Sequence, residues 1–346
     1  MDTANGFDVE KPVMMVDRLM IRPGAQHAVH TLMTRDYATH VAARGLRLAG
    51  AWLSPPFERP GHCSELTVVW EYPSLQALWT ARMAEEDDPT ARRIWTEIAE
   101  LTESRSRHLA RSEPMDLPPP DGTGRRLLAE NPPHARIVFI RPHDPVAIDD
   151  QAAWVTAAES LASRHDAVTA SRAGFHQEYS FLPGHLTWDI ASLDPIDDTN
   201  LLAALPGPCD IVESVTLGRT LDQGLRQPGQ GGTKRTILLR ARSDADPETL
   251  AAFEIALSET PLYITAIDNW RLSRIAADSS GFGWTHCFEQ EVADASVFVG
   301  DYLNHPYHWA VVERLFHPEA PERVGDGFLH TLYPIDRSVL ASETVS

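Results

Sequence analysis

Apolar and polar positions along this chain follow two periods, close to 2 in short runs and close to 3.6 in longer ones, and the two alternate in a fixed order. Val13 to Ile21 (VMMVDRLMI) predicts a strand, closed by Arg22-Pro23-Gly24, and Gln26 to Arg44 predicts a helix. Leu46 to Leu53 and Leu66 to Tyr72 (LTVVWEY) predict two further strands, and Ser74 to His108 a helical region broken near Asp87-Asp88-Pro89. The same order begins again at Arg136 to Arg141 (RIVFIR), a strand, and Asp149 to Arg164, a helix. Ala170 to Phe181 and His185 to Ile190 (HLTWDI) read as strands, Thr199 to Leu205 as a short helix, and Ile211 to Leu217 (IVESVTL) as a strand.

A third round starts with the strand Arg235 to Arg240 (RTILLR). A helix follows whose start is signalled by Asp246 as N-cap, Pro247 at the first helical position and Glu248 in the first turn, with Leu250, Phe253 and Leu257 on one face. Ile264 to Ile275 and Trp284 to Val292 are its next strands, Ala295 to Phe316 its second helix, and Phe328 to Tyr333 its last strand. The order β-α-β-β-α-β, three times over, predicts an α+β fold of three tandem ferredoxin-like modules, each an antiparallel sheet with both helices on one face. Two punctuated stretches separate them: Glu113 to His134, dense in Pro and Gly, and Asp222 to Thr233, dense in Gly and Gln. The expected division is therefore 1–112, linker 113–134, 135–221, linker 222–233 and 234–346. The bare sheet face of each module has to be covered, so two modules are expected to pair within the chain and the third to meet its copy in a homodimer.

Composition narrows the partners. Thirty Lys and Arg against 49 Asp and Glu give a formal charge of −19, which argues against nucleic acid and anionic membranes. The first residues lack the basic start and apolar core of a secretory signal, and no run of 18 apolar residues follows, so a cytoplasmic protein with a small-molecule substrate is expected. Cys63, Cys209 and Cys287 form no CxxC pair and are expected to fill core rather than bridge or bind zinc. Trp70, Tyr72 and Trp188 read as core; His27, His30 and His40 stand in or near the first helix, at least two of them facing solvent. Glu85 to Asp88 and Asp194 to Asp198 read as solvated turns without calcium-ligand spacing. No glycine-rich loop joins a strand to a helix as a nucleotide site requires.

The chemistry concentrates between Gly281 and Pro318. His286 lies in an apolar strand pattern, and Tyr302, His305 and His308, three residues apart, share a face of the second helix even with a kink at Pro306. A strand histidine opposite that face would close a pocket, and burial holds a histidine neutral, as a general base requires. The plain alternatives are that His286 is a hydrogen-bonded core residue and that His305, before Pro306, caps a helix turn. A metal site is not expected, because no carboxylate joins the three histidines.

The strand GWTHCFEQEV, the motif Tyr302-Leu303-Asn304-His305-Pro306-Tyr307-His308 and the late strand LHTLYPID resemble the stress-responsive dimeric α/β-barrel (Dabb) family, in particular its olivetolic acid cyclase-like members. RPGAQHAVH and TVVWEYPSLQALWTAR in the first module resemble NIPSNAP domains of the same superfold. The middle module carries only the element order. The resemblance implies catalysis without metal or organic cofactor, with His308 as general base, Tyr302 assisting at the carbonyl, and His286 and His305 lining or buttressing the cavity. Arg235 stands where the cyclase-like members carry a cavity histidine, so the reaction is expected to differ. The candidate set is thus His308, Tyr302 and His286 for catalysis and Arg235, His305 and Trp284 for substrate binding. The expected function is cofactor-independent acid–base chemistry, as a lyase, dehydratase, cyclase or isomerase, on a small aromatic or polyketide-like carbonyl compound. Two alternatives stand beside it. One is a haem enzyme of the same superfold, of aldoxime dehydratase or monooxygenase type, with His308 or His305 as axial ligand. The other is a non-catalytic binding or scaffold protein.

Overall fold

A computed structural model describes residues 8–85, 88–123 and 131–342. Its strands are β1 (Val13–Ile21), β2 (Arg47–Ser54), β3 (Ser64–Tyr72), β4 (Thr102–Ala110), β5 (Arg136–Pro142), β6 (Val168–Phe175), β7 (Leu186–Ser192), β8 (Cys209–Leu225), β9 (Gly232–Ala241), β10 (Ile267–Asp278), β11 (His286–Val292) and β12 (Gly325–Ile335). The α-helices are α1 (Gln26–Thr31), α2 (Ala38–Ala42), α3 (Leu75–Glu85), α4 (Pro89–Leu101), α5 (Ile148–Glu159), α6 (Leu161–Arg164), α7 (Asp198–Ala203), α8 (Pro247–Tyr263) and α9 (Val339–Ser342). The fold is α+β with antiparallel sheets, and the chain divides into two compact units, Met1–Pro118 with Leu303–Val324, and Pro119–Tyr302 with Gly325–Ser346.

In the first unit the sheet order is β2-β3-β1-β4, the ferredoxin-like order. Alternate residues of β1 and β3, among them Val13, Met15, Leu19, Leu66, Val68, Trp70 and Tyr72, are fully buried against Val29, Met33, Tyr37, Leu78, Ile94 and Ile98 of the helical layer. This is the period-2 pattern of a half-covered sheet, and it puts Trp70 and Tyr72 in the core as expected. The helical region breaks where the sequence indicated. Asp88 caps α4, its Oδ1 accepting from the Thr90 and Ala91 amides at 3.0 and 2.9 Å. The reading of Asp88 as part of a solvated turn is corrected, since it also meets His40 and Arg44; Glu86 and Asp87 lie outside the described residues. The helical reading of Thr102 to His108 is corrected too. This segment is β4, paired along β1, and its polar sequence hid the strand because the inward position carries Arg107 rather than an apolar residue.

In the second unit eight strands form one sheet in the order β12-β9-β11-β10-β8-β5-β7-β6, two ferredoxin-like sets joined where β8 pairs with β10. The far edges meet as well: the Gln177 amide donates to the Leu332 carbonyl at 2.7 Å and the Phe181 amide to that of His330 at 3.1 Å, so the sheet curls into a barrel. The middle and third sequence modules are therefore the pair that covers one another. Asp222 to Leu225, expected in a linker, is strand. The Trp270 ring lies against Gly224, where a Cβ would come within 2.2 Å of it, and its Nε1 donates to Asp222 at 2.9 Å. Part of the other linker, residues 124–130, lies outside the described residues.

The barrel interior is half apolar and half ionic. Ile137, Phe139, Val215, Leu217, Leu238 and Cys287 form one cluster. Lys234, wholly buried, reaches Asp189 at 2.6 Å and Glu289 at 2.8 Å, Arg271 joins Glu289 at 2.7 Å, and the Tyr333 hydroxyl donates to Asp189. Among the described residues the three cysteines are free thiols, with Cys287 in the core.

The expected continuous helix from Ala295 to Phe316 is corrected. A π-helical turn, Phe298–Tyr302, ends at Tyr302; a second, His308–Val312, runs into a 3₁₀ turn, Glu313–Leu315. Pro306 has no N–H to give, and its ring collides with the carbonyl four residues earlier, that of Tyr302. The break assigns Leu303–Val324 to the first unit, where Trp309 joins the core, so the expected 234–346 module does not hold together as one body.

Candidate functional site

The outward, helix-facing side of the barrel in the third module is set by register. Arg235 of β9 sits across from Gln290 of β11 on one side and Leu332 of β12 on the other, with the side chain on the face opposite Lys234. Its guanidinium lies 4.9 Å from the Phe298 ring and 4.8 Å from the Tyr302 ring, both carried by the π-helical turn. Nη1 donates to Gln290 Oε1 at 3.3 Å and Nε to His330 Nδ1 at 3.2 Å, and the guanidinium hydrogen-bonds the Tyr302 hydroxyl. Arg235 is 8% exposed and has no carboxylate partner among the described residues. A buried charge is ordinarily paired with an opposite one, and here neutral hydrogen-bond partners and two aromatic rings take that role.

His330 follows from the same geometry. A guanidinium only donates, so His330 Nδ1 is the acceptor and the proton sits on Nε2. Burial, with the charge of Arg235 added, pushes its pKa down to about 3 and keeps it neutral. Arg235 and the Tyr302 hydroxyl are donors suited to a carboxylate, phenolate or developing enolate, while the Nε2–H of His330 points away from the guanidinium that its Nδ1 accepts from. In this tautomer His330 offers no lone pair at Nε2 to a metal, and among the described residues no group of three His, Cys, Asp or Glu could hold one.

His286 is on the same face of β11 as Gln290 but four residues away, about 13 Å at roughly 3.3 Å per residue. Nε2 lies 3.0 Å from Glu254 Oε1 of α8, and Nδ1 lies 2.8 Å from Thr285 Oγ1. Arg274 holds the same Glu254 oxygen at 2.6 Å. Burial lowers the His286 pKa although Glu254 opposes the shift, and the ring is 2% exposed with both nitrogens engaged. The strand histidine is thus in the first place an orienting partner, and the atom that can meet a substrate is Oε2 of Glu254, which has no hydrogen bond among the described residues. Glu254 was not singled out in the sequence, because a glutamate beside Phe253 on an amphipathic helix reads as a solvated position.

The remaining candidates separate. The Tyr302–His305–His308 face does not form, for the helix is broken between the first and second. His305 caps the restart, its Nδ1 accepting from the Tyr307 amide at 3.1 Å, and burial pushes its pKa down to about 4. His308 is buried in the first unit with its ring 5.5 Å from that of Trp79. Trp284 packs on the barrel-interior cluster near Leu238 and Cys287 instead of beside His286, and its amide donates to Asp278 at 3.1 Å.

Known proteins resemble the chain in parts. No curated protein matches its sequence. A NIPSNAP family protein from Agrobacterium tumefaciens is 18% identical over 30% of this chain and 94% of its own, with a TM-score of 0.24. A NIPSNAP domain protein from Burkholderia xenovorans is 13% identical over 30% and 97%, with a TM-score of 0.24. A chlorite dismutase from Candidatus Nitrospira defluvii is 10% identical over 58% and 90%, with a TM-score of 0.39. The NIPSNAP proteins match the N-terminal region. Residues 233–325, which take in Arg235, Glu254, His286 and Tyr302, match the family model Dabb, the Stress responsive A/B Barrel Domain.

Proposed function

We propose that the chain is a cofactor-independent acid–base enzyme acting on a small aromatic or polyketide-like carbonyl compound that carries an anionic group. The observation that carries this reading is Arg235, buried against the Phe298 and Tyr302 rings without a carboxylate partner among the described residues. The anionic end of the substrate, or an enolate oxygen, binds Arg235 with Tyr302. Glu254 takes or returns a proton at Oε2, oriented through Oε1 by His286 and Arg274. The roughly 13 Å between Gln290 and His286 along β11 calls for an elongated substrate if one molecule engages both. His308, the base implied by family resemblance, is the competing assignment. We further propose a cytoplasmic homodimer in which the first unit's four-stranded sheet pairs with its copy; a monomer by light scattering removes that part.

Proton transfer itself can be followed, whatever the final product. Aromatic and polyketide-like carbonyl compounds bearing a carboxylate or phenolate are incubated with the protein in D₂O, and deuterium entering next to the carbonyl is measured by NMR. Glu254→Gln is expected to slow exchange at least about a hundredfold at saturating substrate, the low end for general acid–base catalysis. Arg235→Gln is expected to raise KM more than it lowers kcat. Exchange that survives Glu254→Gln and vanishes in His308→Ala moves the base to His308; exchange with none of the compounds sinks the enzymatic reading. A Soret band on adding haemin would replace it with the haem alternative.

A further inference from the structure

We propose that the cleft between sheet and helices in the first unit is a carboxylate-binding site, occupied by Glu319 as an internal ligand that a small organic acid can replace. The site is assembled from the first module. Arg107 of β4, 2% exposed, grips Asp17 of β1 through Nε and Nη2 at 2.7 and 2.9 Å and turns Nη1 to Glu319 Oε2 at 2.7 Å. The Tyr37 hydroxyl donates to the same Glu319 oxygen, and Arg44 Nη2 donates to Oε1 at 3.3 Å. Trp95 lies beneath the guanidiniums of Arg105 and Arg107, 4.4 and 4.7 Å from its ring centre. Both oxygens of Glu319 are thus met by donors from Arg107, Tyr37 and Arg44, charge-assisted hydrogen bonds of the kind that suit a carboxylate.

The donors themselves favour an acid. Arg107 keeps Asp17 and Arg44 keeps Asp88, at 3.6 Å, but Arg105 reaches the Glu319 segment only through the Glu319 carbonyl, at 2.7 Å. Without Glu319 the arginines keep Asp17, Asp88 and the charge of Glu322 beside Arg105, but Nη1 of Arg107 and Nη2 of Arg44 lose the carboxylate to which they donate. The occupant comes from elsewhere in the chain: Glu319 is 212 residues from Arg107 and lies in irregular chain between the Glu313–Leu315 turn and β12, so its withdrawal breaks no strand and no helix. Beside it a cavity of about 340 Å³, lined by Arg92, Trp95, Arg105, Glu319 and Arg323 among others, has room for a ring attached to the incoming carboxylate.

Benzoate is the probe, with benzamide as its neutral twin. A tethered carboxylate competes at an effective concentration in the millimolar range, so Glu319→Ala is expected to bind benzoate at least about tenfold more tightly than the unaltered chain by calorimetry, with benzamide inert in both. In the unaltered chain, saturating benzoate is expected to speed hydrogen exchange of the backbone amides from His317 to Val324, a readout that does not depend on the variant folding. Equal affinities, binding of benzamide as strong as that of benzoate, or unchanged exchange would each overturn the proposal.

Discussion

Replacing Arg235 by Met separates a binding site from a structural cation. The side chain is 8% exposed and lacks a carboxylate among the described residues, so its desolvation, several kcal/mol for a buried ion, is offset only in part. The offsets are hydrogen bonds at 3.2 and 3.3 Å, both at the long end of the useful range, the bond to Tyr302, and two ring contacts at 4.8 and 4.9 Å. At about 1 kcal/mol for each of these, the sum is about 5 kcal/mol and roughly balances the desolvation. Methionine keeps the contact with Phe298 and Tyr302 and adds about 1.5–3 kcal/mol of apolar burial, less what His330 and Gln290 lose. Arg235→Met is therefore expected to stabilise the protein by about 1–2 kcal/mol. That corresponds to a rise in Tm of about 2–8 °C for a unit of this size, with loss of saturable binding of anionic substrates. Calorimetry of the two proteins, with and without the anionic carbonyl compound that undergoes deuterium exchange, reads both effects. A fall in Tm of more than a few degrees would show Arg235 stabilising the fold and refute its assignment as an anion site awaiting a ligand.

Three further outcomes follow from the charges. His286→Gln is expected to lower turnover with little change in KM, because it disturbs the orientation of Glu254 and touches no substrate; equal losses in both would place it at the substrate. In the first unit, burial would raise the Glu319 carboxyl, but the charge of Arg107 outweighs it and holds the group below the usual carboxylate range. Its contribution to stability is thus present above its unfolded pKa of about 4.3 and lost as pH falls through its folded pKa of about 2, so the Tm of the unaltered chain and of Glu319→Gln should converge as pH falls from about 5 to about 2. Parallel curves would contradict the coupling. Lys234→Met leaves Asp189 and Glu289 without their shared cation and should cost about 3–5 kcal/mol in urea unfolding; a neutral result would mean that Arg271 alone neutralises the pair.

Much of this molecule is local in origin. The alternation in VMMVDRLMI and LTVVWEY, the Asp246-Pro247 helix start and the tandem β-α-β-β-α-β order set strands, helices and fold class, because burial on one face writes a period into neighbouring residues. Arg235, Tyr302 and His286 were also legible as chemistry-bearing residues. Their partners were not: Glu254 and His330 reach the site from α8 and β12, dozens of residues away, and no local pattern records a contact of that span. Nor did any local pattern show that β4, polar in sequence, completes the first sheet around Arg107; Pro306 was legible as a kink, but not that the segment after it belongs to the first unit. Amino-acid order alone was enough to say which segments become strands and helices, and that a cation and histidines stand in the third module. Which charges meet was settled in three dimensions, since pairing in buried space depends on strand register and on the route of the chain after a break, and both are set by packing among distant residues.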